Sequence, residues 1–149
     1  NTSKKWQRIK TVKAVSFTDS GLARAKGYSY KVKAVKKSGG KEYISASYSK
    51  AVEAVTKPAK ASCTAKSAGI GSIEVSWKAV GGASGYEIYS SSNGSDYVKS
   101  AKVGGSQKSA IVSGFEPYSL RMVKVRAYKT VNGKTSYGAF SQAVMVIVR

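Results

Sequence analysis

Polar and apolar residues alternate with a period of two along most of the chain. Ser29-Tyr30-Lys31-Val32-Lys33-Ala34-Val35 and Met122-Val123-Lys124-Val125-Arg126-Ala127-Tyr128 both follow this spacing, which is that of a strand with one face buried. Ser72-Ile73-Glu74-Val75-Ser76-Trp77 and Gly85-Tyr86-Glu87-Ile88-Tyr89 repeat it. Turn-forming clusters separate the runs: Ser38-Gly39-Gly40, Gly81-Gly82, Asn93-Gly94, Gly104-Gly105 and Asn132-Gly133. No apolar stripe of helical period exceeds two turns. Short strands punctuated by frequent turns predict an all-β, antiparallel sandwich or barrel.

The chain also repeats itself. Asp19-Ser20-Gly21-Leu22 aligns with Val112-Ser113-Gly114-Phe115 at an offset of 93 residues (112 − 19). The same offset pairs Lys31-Val32-Lys33-Ala34 with Lys124-Val125-Arg126-Ala127, and Gly40-Lys41 with Gly133-Lys134. One residue is then lost, and Tyr48-Ser49-Lys50-Ala51-Val52 meets Phe140-Ser141-Gln142-Ala143-Val144. A repeat of about 90 residues is the length of one sandwich domain. Thr56-Lys57-Pro58-Ala59 reads as the linker, since Pro cannot donate to a ladder.

Residues 72–89 resemble the strand B to strand C region of a fibronectin type III domain, with Trp77 at the core position of strand B and Gly85-Tyr86-Glu87-Ile88 on strand C. Val123-Lys124-Val125-Arg126-Ala127-Tyr128 resembles the family's strand F, and Tyr137-Gly138-Ala139-Phe140-Ser141-Gln142-Ala143-Val144 its strand G. The resemblance implies core positions for Trp77, Tyr86 and Ile88, and a corner tyrosine at Tyr28. Arg121 takes the matching place in the second copy, so no normal tyrosine corner is expected there; Tyr118 and Leu120 are the neighbours placed to compensate. The implied fold is an antiparallel β-sandwich of fibronectin type III or immunoglobulin-like type. Residues 58–149 form one complete seven-stranded domain in this reading. Residues 1–57 form the C-terminal half of another, with strands C′, E, F and G over roughly residues 4–56.

Asn1-Thr2-Ser3-Lys4-Lys5 reads as the middle of a longer polypeptide. A half-sandwich leaves one inner face and two strand edges in water. Burial of a Val- or Leu-sized side chain is worth about 1.5–3 kcal/mol, which Val32, Val35, Ile44 and Val52 would largely forgo. The expectation is that a separate segment or a protein partner completes residues 1–57. The competing reading leaves these residues disordered.

Composition narrows the chemistry. The 149 residues hold no His, one Cys and seven carboxylates against 26 Lys and Arg, for a net charge of +19. The commonest general base and metal ligand is therefore missing, and one thiol builds neither an intrachain disulfide nor a Cys-rich metal site. The carboxylates are scattered and do not form the Asp-x-Asp runs that hold calcium. Gly133-Lys134-Thr135 matches the end of a phosphate-binding loop, but Tyr128 stands where the motif requires Gly, and the segment is a hairpin. Ser47-Tyr48-Ser49-Lys50 has Ser-x-x-Lys spacing at the start of a strand and not on a helix. Cys63 reads as a small strand hydrophobe. Asn1-Thr2-Ser3 and Asn93-Gly94-Ser95 match a glycosylation triplet that is common by chance. No catalytic residue, metal, cofactor or membrane span is expected.

The cations are the strong signal. With Val123, Val125 and Ala127 inward, Lys124 and Arg126 face outward, as do Lys31 and Lys33 in the first copy. Glu87 and Tyr89 should share that outer face, with Glu87 paired to Lys124 or Arg126. Tyr89, Tyr97, Tyr43 and Tyr137 are expected to be exposed near the C–C′ and F–G turns. Together, Tyr89, Tyr97, Lys124, Arg126, Tyr137, Lys31, Lys33 and Tyr43 form the candidate binding face. The resemblance implies a secreted or surface protein of Gram-positive type that binds a protein partner, such as an immunoglobulin or glycoprotein, or acts as a spacer. The alternative is a polyanion ligand: cell-wall polymer, anionic glycan or nucleic acid. Nucleic acid is disfavoured for want of a recognition helix or stacking platform.

Overall fold

In a computed structural model, residues 6–149 are described. The Asn1-Thr2-Ser3 triplet and the rest of the first five residues lie outside them. Every regular element among the described residues is a strand. In chain order these are β1 (Gly27–Tyr30), β2 (Val35–Ser38), β3 (Lys41–Ile44), β4 (Val52–Val55), β5 (Cys63–Gly69), β6 (Ser72–Trp77), β7 (Gly85–Ser91), β8 (Val98–Gly104), β9 (Ser109–Ser113), β10 (Leu120–Val131), β11 (Lys134–Tyr137) and β12 (Val144–Ile147). The chain forms two compact units. The smaller holds residues up to Leu22 together with Ser29–Val52, and the larger holds Ala23–Tyr28 with Glu53–Arg149.

The larger unit is an antiparallel β-sandwich. One sheet runs β5-β6-β9; the other runs β11-β10-β7-β8, with β12 also on β10. β11 and β12 are two pieces of one edge, pairing the end and the start of β10 respectively. Between the sheets lie Ile73, Val75 and Trp77 of β6, Tyr86 and Ile88 of β7, Val112 of β9 and Val123, Val125 and Ala127 of β10, all buried. The inward alternation along β10 is that anticipated from its period of two. Trp77 and Tyr86 pack at 5.1 Å between ring centroids, tilted by 43°. Both satisfy their polar atoms: Trp77 Nε1 donates to Gln107 O, and Tyr86 Oη accepts from Val80 N at 2.7 Å. The Asn132-Gly133 turn between β10 and β11 has positive φ at both residues (48° and 77°), the hairpin geometry matching strand twist.

The smaller unit differs from expectation. Residues 6–26 hold no strand, although strands C′ and E were expected there. The physical reason is pairing: strand E bonds to B, and C′ to C, and among the described residues of this unit neither partner is present. Two two-stranded sheets do form before residue 57: β1 pairs β4, and β2 pairs β3 within the smaller unit. Val32 is 70% exposed, Ile44 45% and Val52 61%.

Candidate functional site

The register of β10 against β7 decides which outward side chains meet. Lys124 lies opposite Tyr89, and Arg126 opposite Glu87. Glu87 is nearly inaccessible, at 1% exposure. Arg126 donates to Glu87 Oε2 from Nε (3.0 Å) and Nη2 (2.8 Å), and Lys99 of β8 reaches Oε1 at 3.3 Å. Tyr89 Oη donates to Glu87 Oε2 and accepts from Arg126 Nη2. Burial alone would raise the Glu87 pKa. The hydrogen bonds from Arg126 and Lys99, with their charges, outweigh it and hold the carboxyl below its ordinary value. The anticipated Glu87–Arg126 pair forms. Lys124 does not join it, because its cross-strand neighbour is a tyrosine.

Lys124 lies instead in an aromatic setting. Its Nζ stands 3.5 Å from the Tyr97 centroid and 4.5 Å from that of Phe140. The Arg126 guanidinium lies 4.1 Å from Tyr137, 4.8 Å from Phe140 and 5.2 Å from Tyr89. Tyr89 meets Phe140 edge-on at 5.0 Å. At the far end, Lys102 Nζ stands 4.6 Å from the Tyr128 ring, and Tyr128 packs over Gly85, where no Cβ fits. Cations and rings thus interleave across the outer face of β8-β7-β10-β11, each contact worth about 0.5–2 kcal/mol by its burial.

Of the residues singled out from sequence, Tyr89, Tyr97, Lys124, Arg126 and Tyr137 come together here. Tyr89 and Tyr97 are half-buried and not exposed, since the cations cover their faces. Tyr137 is 38% exposed. Sequence reasoning missed Phe140, Tyr128, Lys99 and Lys102. The internal repeat carried a signal for Phe140, because it aligns with Tyr48. In the smaller unit Lys31 Nζ lies 4.4 Å from Trp6 and 5.5 Å from Tyr48, and Lys33 Nζ lies 4.2 Å from Tyr48. Lys31, Lys33 and Tyr48 are the repeat equivalents of Lys124, Arg126 and Phe140, so the cation–ring contacts with Phe140 recur at Tyr48. Tyr43 is 57% exposed, opposite Lys36, and shares no ring–cation contact among the described residues.

No protein-family model matches the chain, and no curated protein matches it. Solved structures do. The chain superposes over 89% of its length on the FN1–FN3 domains of chicken CNTN1, with a TM-score of 0.57 and 19% identity, and spans 44% of that chain. The fold is that of fibronectin type III. The fn3 domain of human contactin 1 aligns with 58% of this chain and 73% of its own (TM-score 0.51, 16% identity). A β-1,2-glucanase from Parabacteroides distasonis aligns with 75% of this chain and 16% of its own (TM-score 0.53, 21% identity).

In fibronectin type III terms the two strand F entries differ. Tyr28 Oη accepts from Ala23 N at 3.0 Å, closing a tyrosine corner. The equivalent Arg121 places its guanidinium 5.0 Å from the Phe115 ring and leaves Nε buried without a partner among the described residues. Tyr118 is 85% exposed and Leu120 44%, so neither replaces the corner. Cys63 Sγ packs 3.1 Å from Ser141 Oγ at the inner edge of β5. Asn93 works as a turn former: its Oδ1 accepts from Ser95 N, Asp96 N and Ser91 Oγ. No group of His, Cys, Asp and Glu able to hold a metal occurs among the described residues. No helix among them is long and apolar enough to cross a membrane.

Proposed function

We propose that this chain is a non-catalytic binding module of a secreted or cell-surface protein, of the kind found on Gram-positive bacteria. Its larger unit presents the outer face of β8-β7-β10-β11 to a protein partner, such as an immunoglobulin or glycoprotein. The observation that supports this reading is the interleaved array around Arg126, Lys124 and Phe140. Aromatic rings and arginine carry most of the energy of protein interfaces. Here they are held by one another and by Glu87, so little rotamer freedom remains to be lost on binding. The absence of His supports a role without catalysis.

The net charge of +19 supports a second reading, a polyanion ligand such as a cell-wall polymer or anionic glycan. Salt separates the two. Binding of immunoglobulin G, a mucin glycoprotein and lipoteichoic acid should be measured at about 50 and 200 mM salt, a range over which phosphate-type contacts lose about a thousandfold or more. On the protein reading, affinity for a protein probe changes less than tenfold across that range and Phe140→Ala abolishes it. Affinity confined to lipoteichoic acid, falling steeply with salt and indifferent to Phe140→Ala, would transfer the function to the second reading. No binding by any probe would leave a spacer.

A further inference from the structure

Cations and rings alternate in a row across the outer face of the larger unit. Lys102 lies over Tyr128, and Tyr128 packs on Tyr137 with ring centroids 6.3 Å apart. Tyr137 and Phe140 flank the Arg126 guanidinium, and Phe140 with Tyr97 holds Lys124. The charges along this row are not balanced. Lys99, Lys102, Lys124 and Arg126 of β8 and β10 surround one carboxylate, Glu87 of β7, which leaves a surplus of three positive charges (4 − 1).

Glu87 serves only two of those cations. Its Oε2 accepts from Arg126 and Tyr89, and its Oε1 from Lys99. Lys102 stands opposite Glu87 in the ladder, but both oxygens are occupied and its ammonium meets the Tyr128 ring instead. Neither Lys102 nor Lys124 has a carboxylate within ion-pair distance among the described residues. Each ammonium is already steadied by a ring, so pairing it with an anion costs little further rotamer freedom. The two lysines are two strands and two residues apart. Strand spacing of about 4.8 Å and a rise of about 3.3 Å per residue put their Cα atoms roughly 12 Å apart. The ground between them is aromatic, with Arg126 neutralised by Glu87 at its centre.

We infer that this face takes an acidic, extended segment of its protein partner. Two carboxylates four residues apart reach Lys102 and Lys124, and an apolar side chain midway between them covers the rings beside Arg126. The inference rests on the reading of this face as a protein-binding surface and adds the chemistry of the ligand. In an extended chain, residues four apart lie on one face at about 13 Å, which matches the separation of the two lysines. Charge complementarity selects the occupant. A second copy of this chain is the wrong one, because it brings a net charge of +19 and only seven carboxylates. A polyanion is also a poor match: its charges are closely spaced, whereas here two anion positions are held apart by rings.

The test is an NMR titration of the full chain with a short serine peptide that carries two glutamates four residues apart and a leucine midway. Shifts should concentrate on β7, β8 and β10, and the analogue with glutamine for both glutamates should bind about tenfold more weakly. Lys102→Gln and Lys124→Gln should each weaken the acidic peptide by about threefold. Lys124→Arg should restore it, and Lys78→Gln, on an exposed residue away from the row, should change nothing. Two isolated carboxylates have no condensed counterions to release, so affinity should fall less than about tenfold between about 50 and 200 mM salt. Equal binding of the glutamine analogue would overturn the inference. So would immunoglobulin G or mucin binding that Phe140→Ala abolishes and both lysine changes leave alone, and there the face would still stand as the binding surface. Lysine dependence shown by lipoteichoic acid and by no peptide would overturn it in favour of a polyanion. No binding by the peptide or by any protein probe would overturn both the inference and the reading beneath it.

Discussion

Glu87 is a carboxylate with almost no access to water, flanked by two cations and a tyrosine hydroxyl. Its pKa in the folded chain lies below the ordinary 4.5. Such a group stabilises the fold above its unfolded pKa, and that contribution disappears as pH falls through 4.5 towards the folded value. Urea unfolding across pH 7 to 3 should show the loss, and Glu87→Gln should flatten it while lowering stability at pH 7 by on the order of 3 kcal/mol, because Arg126 loses its counter-charge. Arg121 is the opposite case, a cation where the first copy has the hydroxyl of Tyr28. Arg121→Tyr should rebuild the corner and raise the urea midpoint by the equivalent of about 1 kcal/mol. Unchanged or lower stability would show that the contact with Phe115 suffices.

β7 organises the larger unit at the level of elements. It is buried on both faces apart from Tyr89, with Tyr86 and Ile88 in the core and Glu87 under the array. Tyr86→Phe leaves Val80 N–H without its acceptor and should cost about 1–3 kcal/mol by chemical denaturation. Most of this element was legible beforehand, since the period of two separates Tyr86 and Ile88 from Glu87 and Tyr89 without reference to any neighbour. The choice between Lys124 and Arg126 as the partner of Glu87 was not legible, because it depends on the cross-strand register. Phe140 was missed for a related reason: the break between β11 and β12 interrupts the alternation that would have shown which way it points.

Across the whole molecule, the two units have unequal means of holding together. The larger unit closes two sheets over a contiguous core. Among the described residues of the smaller unit no hydrophobic side chain is buried. Amides of β2 and β3 should therefore exchange at least about a hundredfold faster than those of β7 and β10 in the free chain; comparable protection would mean that the smaller unit finds its stability elsewhere.

By itself the sequence determined what local periodicity and repetition can carry: all-β character, the inward residues of β6, β7 and β10, the hairpin turns, and the equivalence of Lys31 and Lys33 with Lys124 and Arg126. These follow because a strand's two faces alternate along the chain and an internal repeat imposes the same alternation twice. Tertiary structure alone decided which cations meet a carboxylate and which meet rings, and that residues 6–26 form no strand. Each of those depends on a partner strand distant in sequence, and its register or absence leaves no mark on the local pattern.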